Sequence, residues 1–525
     1  MAKKRKTVKK TIAKKQKVTK ENVDFSSSLG NLQDGQQTVE VIDDYTVECR
    51  DIPLDVKIYK KEDAYVPSYD VFVPSIGAHT RLILEKIRQE LITSVNLGMV
   101  DISDMQNQQQ QMEEAFQKSI EALVRKYFPS GQEEDLKFFM SYVMLRSVGL
   151  GEVEILMSDD GLEEIAINGA NQPIWVFHRK HGWLMTNITL EDEDKVKHFA
   201  ATIGRRVGRQ ISVLEPLLDV TINVGDRVNA TLMPISNEGN TITIRKFASK
   251  PWTITDFISH NTISYEAAAM LWQGIQFELS ILIAGGTASG KTSMLNILSS
   301  FFPPTQRILS IEDTREVKLP KFLHWVPMLT RTANTEGRGG VPMLRLLQNS
   351  LRMRPDRIIV GEIRRPEEAE VLFEAIHTGH SVYATVHANT AHEAVTRLTN
   401  PPISVPKTMM SALSLIVVQY RNRRTGNRRT FQIAEILEEG SAHVLYQYNA
   451  DKDKIVKSNK SKTFVQTIST FSGLSLKEIE EMLKDKEEVL RYLVDKNINT
   501  VEGVGKVMAD YYTNPEKLKK KMRGK

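Results

Sequence analysis

Between the apolar run Ile281-Leu282-Ile283-Ala284 and the apolar-periodic run Met294-Leu295-Asn296-Ile297-Leu298 stands Gly285-Gly286-Thr287-Ala288-Ser289-Gly290-Lys291-Thr292. It fits the phosphate-loop pattern G-x-x-x-x-G-K-[ST]. The first flank reads as a buried strand and the second as a helix. In that context the N–H groups of the loop and of the first helical turn converge on one point and favour an anion there. Lys291 adds a point charge for β- and γ-phosphates, and Thr292 offers a hydroxyl to Mg²⁺. The candidate nucleotide-binding set is Gly285, Gly286, Thr287, Ala288, Ser289, Gly290, Lys291, Thr292 and Ser293. The competing reading is a chance glycine turn, and the strand and helix on either side count against it.

A chain of 525 residues exceeds one ordinary core, so two or three domains are expected. Its 41% apolar and 26% charged residues are those of a soluble globular protein. No stretch approaches the roughly 18 apolar residues of a membrane span. Cys49 is the single cysteine, which excludes intramolecular disulfides and Cys₄ zinc sites; no zinc is expected, and a reducing compartment fits. Residues 1–20 hold ten Lys/Arg and no acid, more than the net +5 of the whole chain, so the remainder is net acidic. This tail has three readings: a solvated disordered segment, an anchor to an anionic membrane surface through residues 1–20, or a non-specific nucleic-acid contact. The Lys-rich run at 517–523 has the same three.

Composition and periodicity divide the chain into a basic tail (1–36), an N-terminal α/β segment (37–148), a second N-terminal domain (149–250), a larger α/β domain (251–450) and a C-terminal helical module (462–525). Short strands are expected over 38–73, a helix over 76–95, a polar joint at 106–111 and a helix over 116–148. Strands follow at 164–167 and 174–177, a helix over 191–207, and strands over 220–244. From 252 onward apolar runs at 281–284, 307–311, 358–360, 381–385 and 413–419 alternate with helical segments, the pattern of a parallel sheet. Ser475-Leu476-Lys477-Glu478 fits a capping box opening the helical module.

A phosphate loop alone leaves kinases, GTPases, helicases and motors open. Asp356-Arg357-Ile358-Ile359-Val360-Gly361-Glu362 is an apolar strand ending in a carboxylate that suits Mg²⁺ or its water shell. Arg307-Ile308-Leu309-Ser310-Ile311-Glu312-Asp313-Thr314 delivers further acids to the carboxyl edge of the sheet, where open α/β folds bind ligands. Glu312 reads as the base for an attacking water, and Thr292 and Glu362 as the metal-side groups. The bland alternatives are that Glu312 pairs with an arginine and Asp313 caps the next turn. His387, at the end of the apolar run Ser381 to Val386, would hydrogen-bond a carboxylate or sense the γ-phosphate; no His/carboxylate spacing supports zinc. Charge developing on a transferred phosphoryl group calls for arginine in cis or from a neighbour. Arg331, Arg338, Arg352 and Arg354 lie between the acid segments, and Arg227 and Arg245 before the loop. Arg421 to Arg429 reads as a basic hairpin tip, solvated or docking an acidic partner or nucleic acid.

The glycine loop, Glu312-Asp313-Thr314, Ile358 to Glu362 and His380 to His387, in this order, resemble the Walker A motif, Asp box, atypical Walker B motif and His box of the type II/type IV secretion ATPase superfamily. Residues 149–157, 163–168 and 182–187 resemble its archaeal branch, which drives archaella and archaeal type IV pili. The resemblance implies an N-terminal α/β region followed by a RecA-like P-loop NTPase domain and a small helical module. It implies a cytoplasmic homo-hexamer at the inner face of the cell membrane, with ATP and Mg²⁺ in a cleft between the N-terminal and RecA-like domains. The partner would be an integral-membrane platform protein of a pilus or archaellum machine. Lys291, Thr292, Glu312, Glu362 and His387 fall on the family's catalytic and binding positions. Arg331 and Arg338 fall where it places arginines toward a neighbouring nucleotide, and Arg227 and Arg245 on its N-terminal closing face. The chain departs in lacking a tetracysteine zinc module and in having Arg364-Arg365 where many relatives have Arg-Gly. Two other classes remain in view: a RecA-like nucleic-acid motor and a nucleotide-gated scaffold.

Overall fold

The computed structural model describes residues 39–74, 76–94, 105–147, 150–222, 225–247, 250–331, 333 and 337–523. The basic tail at 1–36 lies outside them. The chain divides into two compact units, Met1–Phe247 and Ala248–Lys525.

In the first unit, Val39–Cys49 (β1) and Ile52–Lys61 (β2) form a hairpin of 11- and 10-residue strands, longer than the short strands expected here. Its turn is Arg50-Asp51, at φ 47° and 66°. Two successive left-handed residues match the twist of the strands, but neither is glycine or asparagine, so composition does not announce the turn. Ser68–Phe72 (β3) is followed by the helices Ala78–Ser94 (α1), Met105–Tyr127 (α2), Glu133–Ser147 (α3) and Glu152–Ser158 (α4). The polar joint expected at 106–111 is helical, the opening of α2. Glutamine has fair helix propensity, and farther along α2 Ile120 and Val124 are buried. The single helix expected over 116–148 breaks between α2 and α3 at Pro129, which has no N–H to continue it.

Leu162–Ile167 (β4), Pro173–His178 (β5), Gly182–Thr189 (β6), Glu193–Arg206 (α5), Leu217–Ile222 (β7), Asp226–Thr231 (β8) and Thr241–Arg245 (β9) complete the unit. All nine strands join one sheet in the order β1-β2-β3-β6-β5-β4-β9-β8-β7. Neighbours are antiparallel except β3 and β6, whose ladder is only Ser68 with Met185 and Tyr69 with Thr186. The Asn187 amide prolongs that ladder: it accepts from the Val71 N–H at 3.1 Å and donates to the Val71 carbonyl at 3.1 Å. Buried Asp159 ties the same region together, accepting from the Tyr45 and Tyr69 hydroxyls at 2.7 and 2.8 Å. Segments 37–148 and 149–250 therefore contribute to one sheet and one core.

The second unit begins with Ile254–Ser259 (α6), Tyr265–Gln276 (α7), Ile281–Gly285 (β10), Lys291–Ser299 (α8), Ile308–Glu312 (β11) and Trp325–Leu329 (β12). Next come Met343–Ser350 (α9), Arg357–Val360 (β13), Pro366–His377 (α10), Ser381–Val386 (β14), Ala391–Thr399 (α11), Lys407–Met410 (α12) and Leu415–Arg421 (β15). Arg428–Ile436 (β16), Ala442–Asn449 (β17) and Lys454–Lys457 (β18) form a meander, and Phe464–Ser472 (α13), Leu476–Asp495 (α14), Val501–Thr513 (α15) and Pro515–Met522 (α16) end the chain. The sheet order is β12-β11-β13-β14-β10-β15-β16-β17-β18, parallel from β12 to β15 and antiparallel beyond. β14 is inserted between the strand that feeds the glycine loop and the strand that ends before Glu362. This is a RecA-like α/β sheet. β12, absent from the strands expected above, contains Pro327, which a sheet tolerates at an edge.

Strand alternation puts Ile281 and Ile283 in one apolar cluster and Leu282 and Ala284 in another, so both faces of β10 are buried. The first cluster includes Ile479, Leu490, Leu493, Val507 and Met508, so α14 and α15 share a core with α7 and α8. Glu435 anchors the entry to these helices, its carboxylate accepting from the backbone N–H groups of Lys462, Thr463 and Phe464 at 2.7 to 3.1 Å. Capping-box geometry is present at Ser475 and Glu478.

One charge lies inside this helical interface. Lys486 is fully buried; its Nζ donates to the Tyr511 hydroxyl at 3.2 Å and lies over the Trp272 and Tyr511 rings. Burial pulls its pKa down to about 7. The folded state therefore binds fewer protons than the unfolded chain between about pH 7 and the ordinary lysine value, and stability rises with pH through that window. Lys486→Met should raise the thermal midpoint at pH 7 by roughly 2–4 °C and remove most of the gain between pH 7 and 9. Calorimetry of both proteins at the two pH values checks this.

Candidate functional site

The glycine loop leaves β10 through Gly285 (φ 157°), where a Cβ would stand 2.3 Å from Ser289 Oγ and 2.6 Å from the Gln419 carbonyl. Gly290 (φ 97°) caps α8 without a side-chain hydrogen bond. The first N–H groups of α8 thus have no side-chain acceptor at the cap, leaving an electropositive concavity. Lys291, Thr292 and Ser293 make up its first turn. The Lys291 Nζ folds back on its own loop, donating to the carbonyls of Gly285 at 3.1 Å and Gly286 at 3.0 Å, and faces His387 Nδ1 at 3.5 Å.

His387 stands just past the end of β14, beside the loop. An ammonium only donates, so Nδ1 is the acceptor and the ring proton sits on Nε2, which lies 2.9 Å from Glu362 Oε1. Burial and the Lys291 charge hold the imidazole pKa below its ordinary value, so the neutral form suits this pairing. Glu362, just past β13, accepts on Oε2 from Arg364 Nε at 2.9 Å and Nη2 at 2.7 Å. Arg364 Nη1 then donates to Asp313 at 2.7 Å, and the Thr330 hydroxyl donates to the other Asp313 oxygen at 3.0 Å. A continuous polar chain runs Lys291, His387, Glu362, Arg364, Asp313 across the carboxyl ends of four neighbouring strands.

Glu312 behaves differently. It ends β11, is 2% exposed, and turns Oε1 onto the N–H groups of Glu316 and Val317, each at 2.9 Å. Its Oε2 is buried and has no hydrogen-bond partner among the described residues. Burial pushes the carboxyl up to about 7, against the two N–H bonds that favour the charged form. The two bland alternatives are thereby exchanged: Glu312 holds the turn that follows β11, and Asp313 is the acid paired with an arginine.

The arginines separate. Arg331 follows the edge strand β12, where its backbone pairs with Val341 and its Nε donates to the Gly339 carbonyl at 2.6 Å. Arg338 is on the same loop. With β11, β13 and β14 between them, β12 and β10 are four strand spacings apart, about 19 Å. Within one chain these arginines are remote from the loop. Arg227 and Arg245 belong to the first unit, where Arg227 pairs with Asp219 at 2.6 Å and stands opposite Arg245 across β8 and β9.

Two contributors escaped sequence reasoning. Arg364 looked only like a departure from a family pattern, yet it joins both acid segments. The signal lay in Pro366 and Glu368: they mark the start of α10, whose Glu368 carboxylate accepts from the Arg364 and Arg365 N–H groups at 3.0 and 3.2 Å and sets this turn. Arg428 belonged to a tip read as solvated or as docking an acidic partner or nucleic acid; its Nε donates to the Ala288 carbonyl at 3.0 Å inside the glycine loop. Its neighbour Arg429 is paired with Asp453 at 2.6 Å. Among the described residues, no cluster of three or more His, Cys, Asp or Glu could hold a metal by itself, and no helix is long and apolar enough to cross a membrane.

The chain is 28% identical over 677 aligned positions to an uncharacterized protein of Methanocaldococcus jannaschii, covering 92% of this chain and 90% of that one. It is 30% identical over 308 positions to the type IV secretion system protein PtlH of Bordetella pertussis, covering 52% of this chain and 89% of that protein. Among solved structures, the ATPase DotB of Yersinia pseudotuberculosis aligns at 17% identity and a TM-score of 0.41, over 73% of this chain and 95% of that one. The family described as Type II/IV secretion system protein matches residues 218–499, more than half of the chain and all of the polar network described above. The chain belongs to the type II/IV secretion system protein family.

Proposed function

We propose that this protein is an ATP hydrolase that works as a homo-hexamer on the cytoplasmic side of a membrane platform. There it powers assembly of a pilus-like or archaellum-like filament, or secretion. The observation that carries the reading is the chain from Lys291 through His387 to Glu362 beside a helix start with no side-chain cap. Family membership and the M. jannaschii relative support the secretion or filament setting and the archaeal branch.

A triphosphate entering the loop offers Lys291 better acceptors than the two carbonyls it now holds, because charge-assisted hydrogen bonds are the stronger kind. As Nζ moves to the β- and γ-phosphates, His387 Nδ1 loses its donor; by taking up a proton there it would donate to a γ-phosphate oxygen while Nε2 keeps Glu362 in place. Glu312 is the candidate base: a buried carboxyl poised near neutrality with one oxygen unengaged suits proton removal from a water. The Thr292 hydroxyl and Glu362 carboxylate are hard oxygen donors that fit Mg²⁺, which prefers phosphate and water to a full protein cage. When bound, Mg²⁺ would neutralise charge developing on the phosphates. Arg331 and Arg338 would serve the nucleotide of an adjacent copy, a reading supported by their position on the edge-strand side of the sheet, remote from their own loop. The assignment of Arg227 and Arg245 rests on resemblance alone. Unequal affinity for ATP and ADP would supply the work, since a ligand shifts an equilibrium only by differential binding.

Purified protein should hydrolyse ATP, and Lys291→Ala should lower kcat/KM by at least about a hundredfold; equal rates would sink the reading. The base must be deprotonated, so kcat/KM, which reports groups of the free enzyme, should fall below about pH 7 as Glu312 takes up its proton. A pH–rate profile should show that limb in the wild type and in His387→Gln, with Glu312→Gln nearly inactive throughout. An acid limb that survives in Glu312→Gln at substantial activity would remove Glu312 from the base role.

A further inference from the structure

The glycine loop contains one strained non-glycine residue, Ala288 at φ 56°, a conformation an L-residue adopts only at a cost. The carbonyl of that residue is the one Arg428 Nε holds at 3.0 Å. A planar trans peptide points its C=O and N–H in opposite directions. With the Ala288 carbonyl turned out to Arg428, the Ser289 N–H faces into the loop. There its one backbone contact among the described residues is a long 3.4 Å approach to the Gly286 carbonyl, readily exchanged for a phosphate oxygen.

Arg428 is itself firmly placed. It opens β16, in register with Arg421 of β15. β15 pairs in turn with β10, Gln419 opposite Gly285. Thr262 clamps the start of β16, donating from its hydroxyl to the Arg428 carbonyl at 3.3 Å and accepting from the Thr430 N–H at 2.8 Å. The Arg428 stem lies over Gly290, its Cδ 3.6 Å from where a Cβ would stand. A residue 140 positions along the chain thus grips the loop peptide next to the helix start.

We propose that Arg428 is a positioning residue for nucleotide binding. Through the Ala288 carbonyl, it locks the 288–289 peptide with its N–H toward the phosphates, so the β15–β16 hairpin sets the loop's affinity. This rests on the nucleotide reading above. The hydrogen bond, not the charge, is the operative element.

Two substitutions separate these. Arg428→Met keeps the length and apolar stem but removes the donor. Arg428→Gln removes the charge but keeps an amide nitrogen at the same number of bonds from the backbone as Nε. Binding of a fluorescent ADP analogue, the KM for ATP, kcat and the thermal midpoint are measured for each. Arg428→Met should raise Kd and KM by up to roughly tenfold, the upper end of what one net hydrogen bond contributes, with kcat within about twofold and the midpoint unchanged. Arg428→Gln should restore most of the affinity. Wild-type affinity in Arg428→Met overturns the proposal, as does an equal loss in both variants, which would make the charge the operative element. Should Arg428→Met not fold, Arg428→Leu takes its place in the same comparison. The readings fail distinguishably. A wild type that binds no nucleotide removes the underlying function, whereas normal wild-type binding with an indifferent Arg428→Met removes only this inference.

Discussion

The ammonium of Lys291 rests on two carbonyls of its own loop, at 3.1 and 3.0 Å, and on one ring nitrogen of His387. Much of the second unit serves to keep that cation beside an electropositive helix start without collapsing the space between them. Gly285 lets the strand turn where any side chain would strike Ser289 and Gln419. Gly290 opens the helix in a left-handed conformation with no cap of its own. A positive charge and uncapped N–H groups together ask for an anion of several charges, and the loop carbonyls stand in for it.

The sheet order makes the rest possible. Because β14 lies between β10 and β13, the residue after β14 meets both the loop and the acid after β13. His387 is that residue, and it bonds each side. One strand farther, β11 brings Glu312 against Gly361, where even an added Cβ would meet the Glu312 stem at an ordinary contact distance of 3.5 Å. Two carboxylates one strand apart then meet different environments. Glu362 is engaged by a histidine and an arginine, whereas Glu312 is buried with one oxygen that has no partner among the described residues. Different surroundings suit different work, one acid held in place and the other near its titration point.

The loop, the parallel strands and the acids at their ends were legible in the sequence because each is local: an apolar run, a glycine spacing, a carboxylate at a strand end. What escaped it depends on distant residues or on conformations their composition does not advertise. Arg50-Asp51 turns a hairpin without glycine or asparagine, and Pro327 disguises an edge strand. Arg364 acquires its role only when β13 and β11 lie side by side. Arg428 acquires its role only when a hairpin folds back beside a loop far earlier in the chain. Lys486 looks like one more lysine on a charged helix, yet the packing of α14 against α7 and α15 buries it among aromatic rings.

The central claim is that a phosphate group takes the place of the loop carbonyls at Lys291, with Glu312 on the far side of the attacking water. A crystal structure with Mg²⁺ and a non-hydrolysable ATP analogue tests it most directly. The account expects the Lys291 Nζ on β- and γ-phosphate oxygens, His387 still bonded to Glu362, and an ordered water between the γ-phosphorus and Glu312 Oε2. A nucleotide bound elsewhere, or bound with Lys291 still on Gly285 and Gly286 and Glu312 turned away, would contradict it.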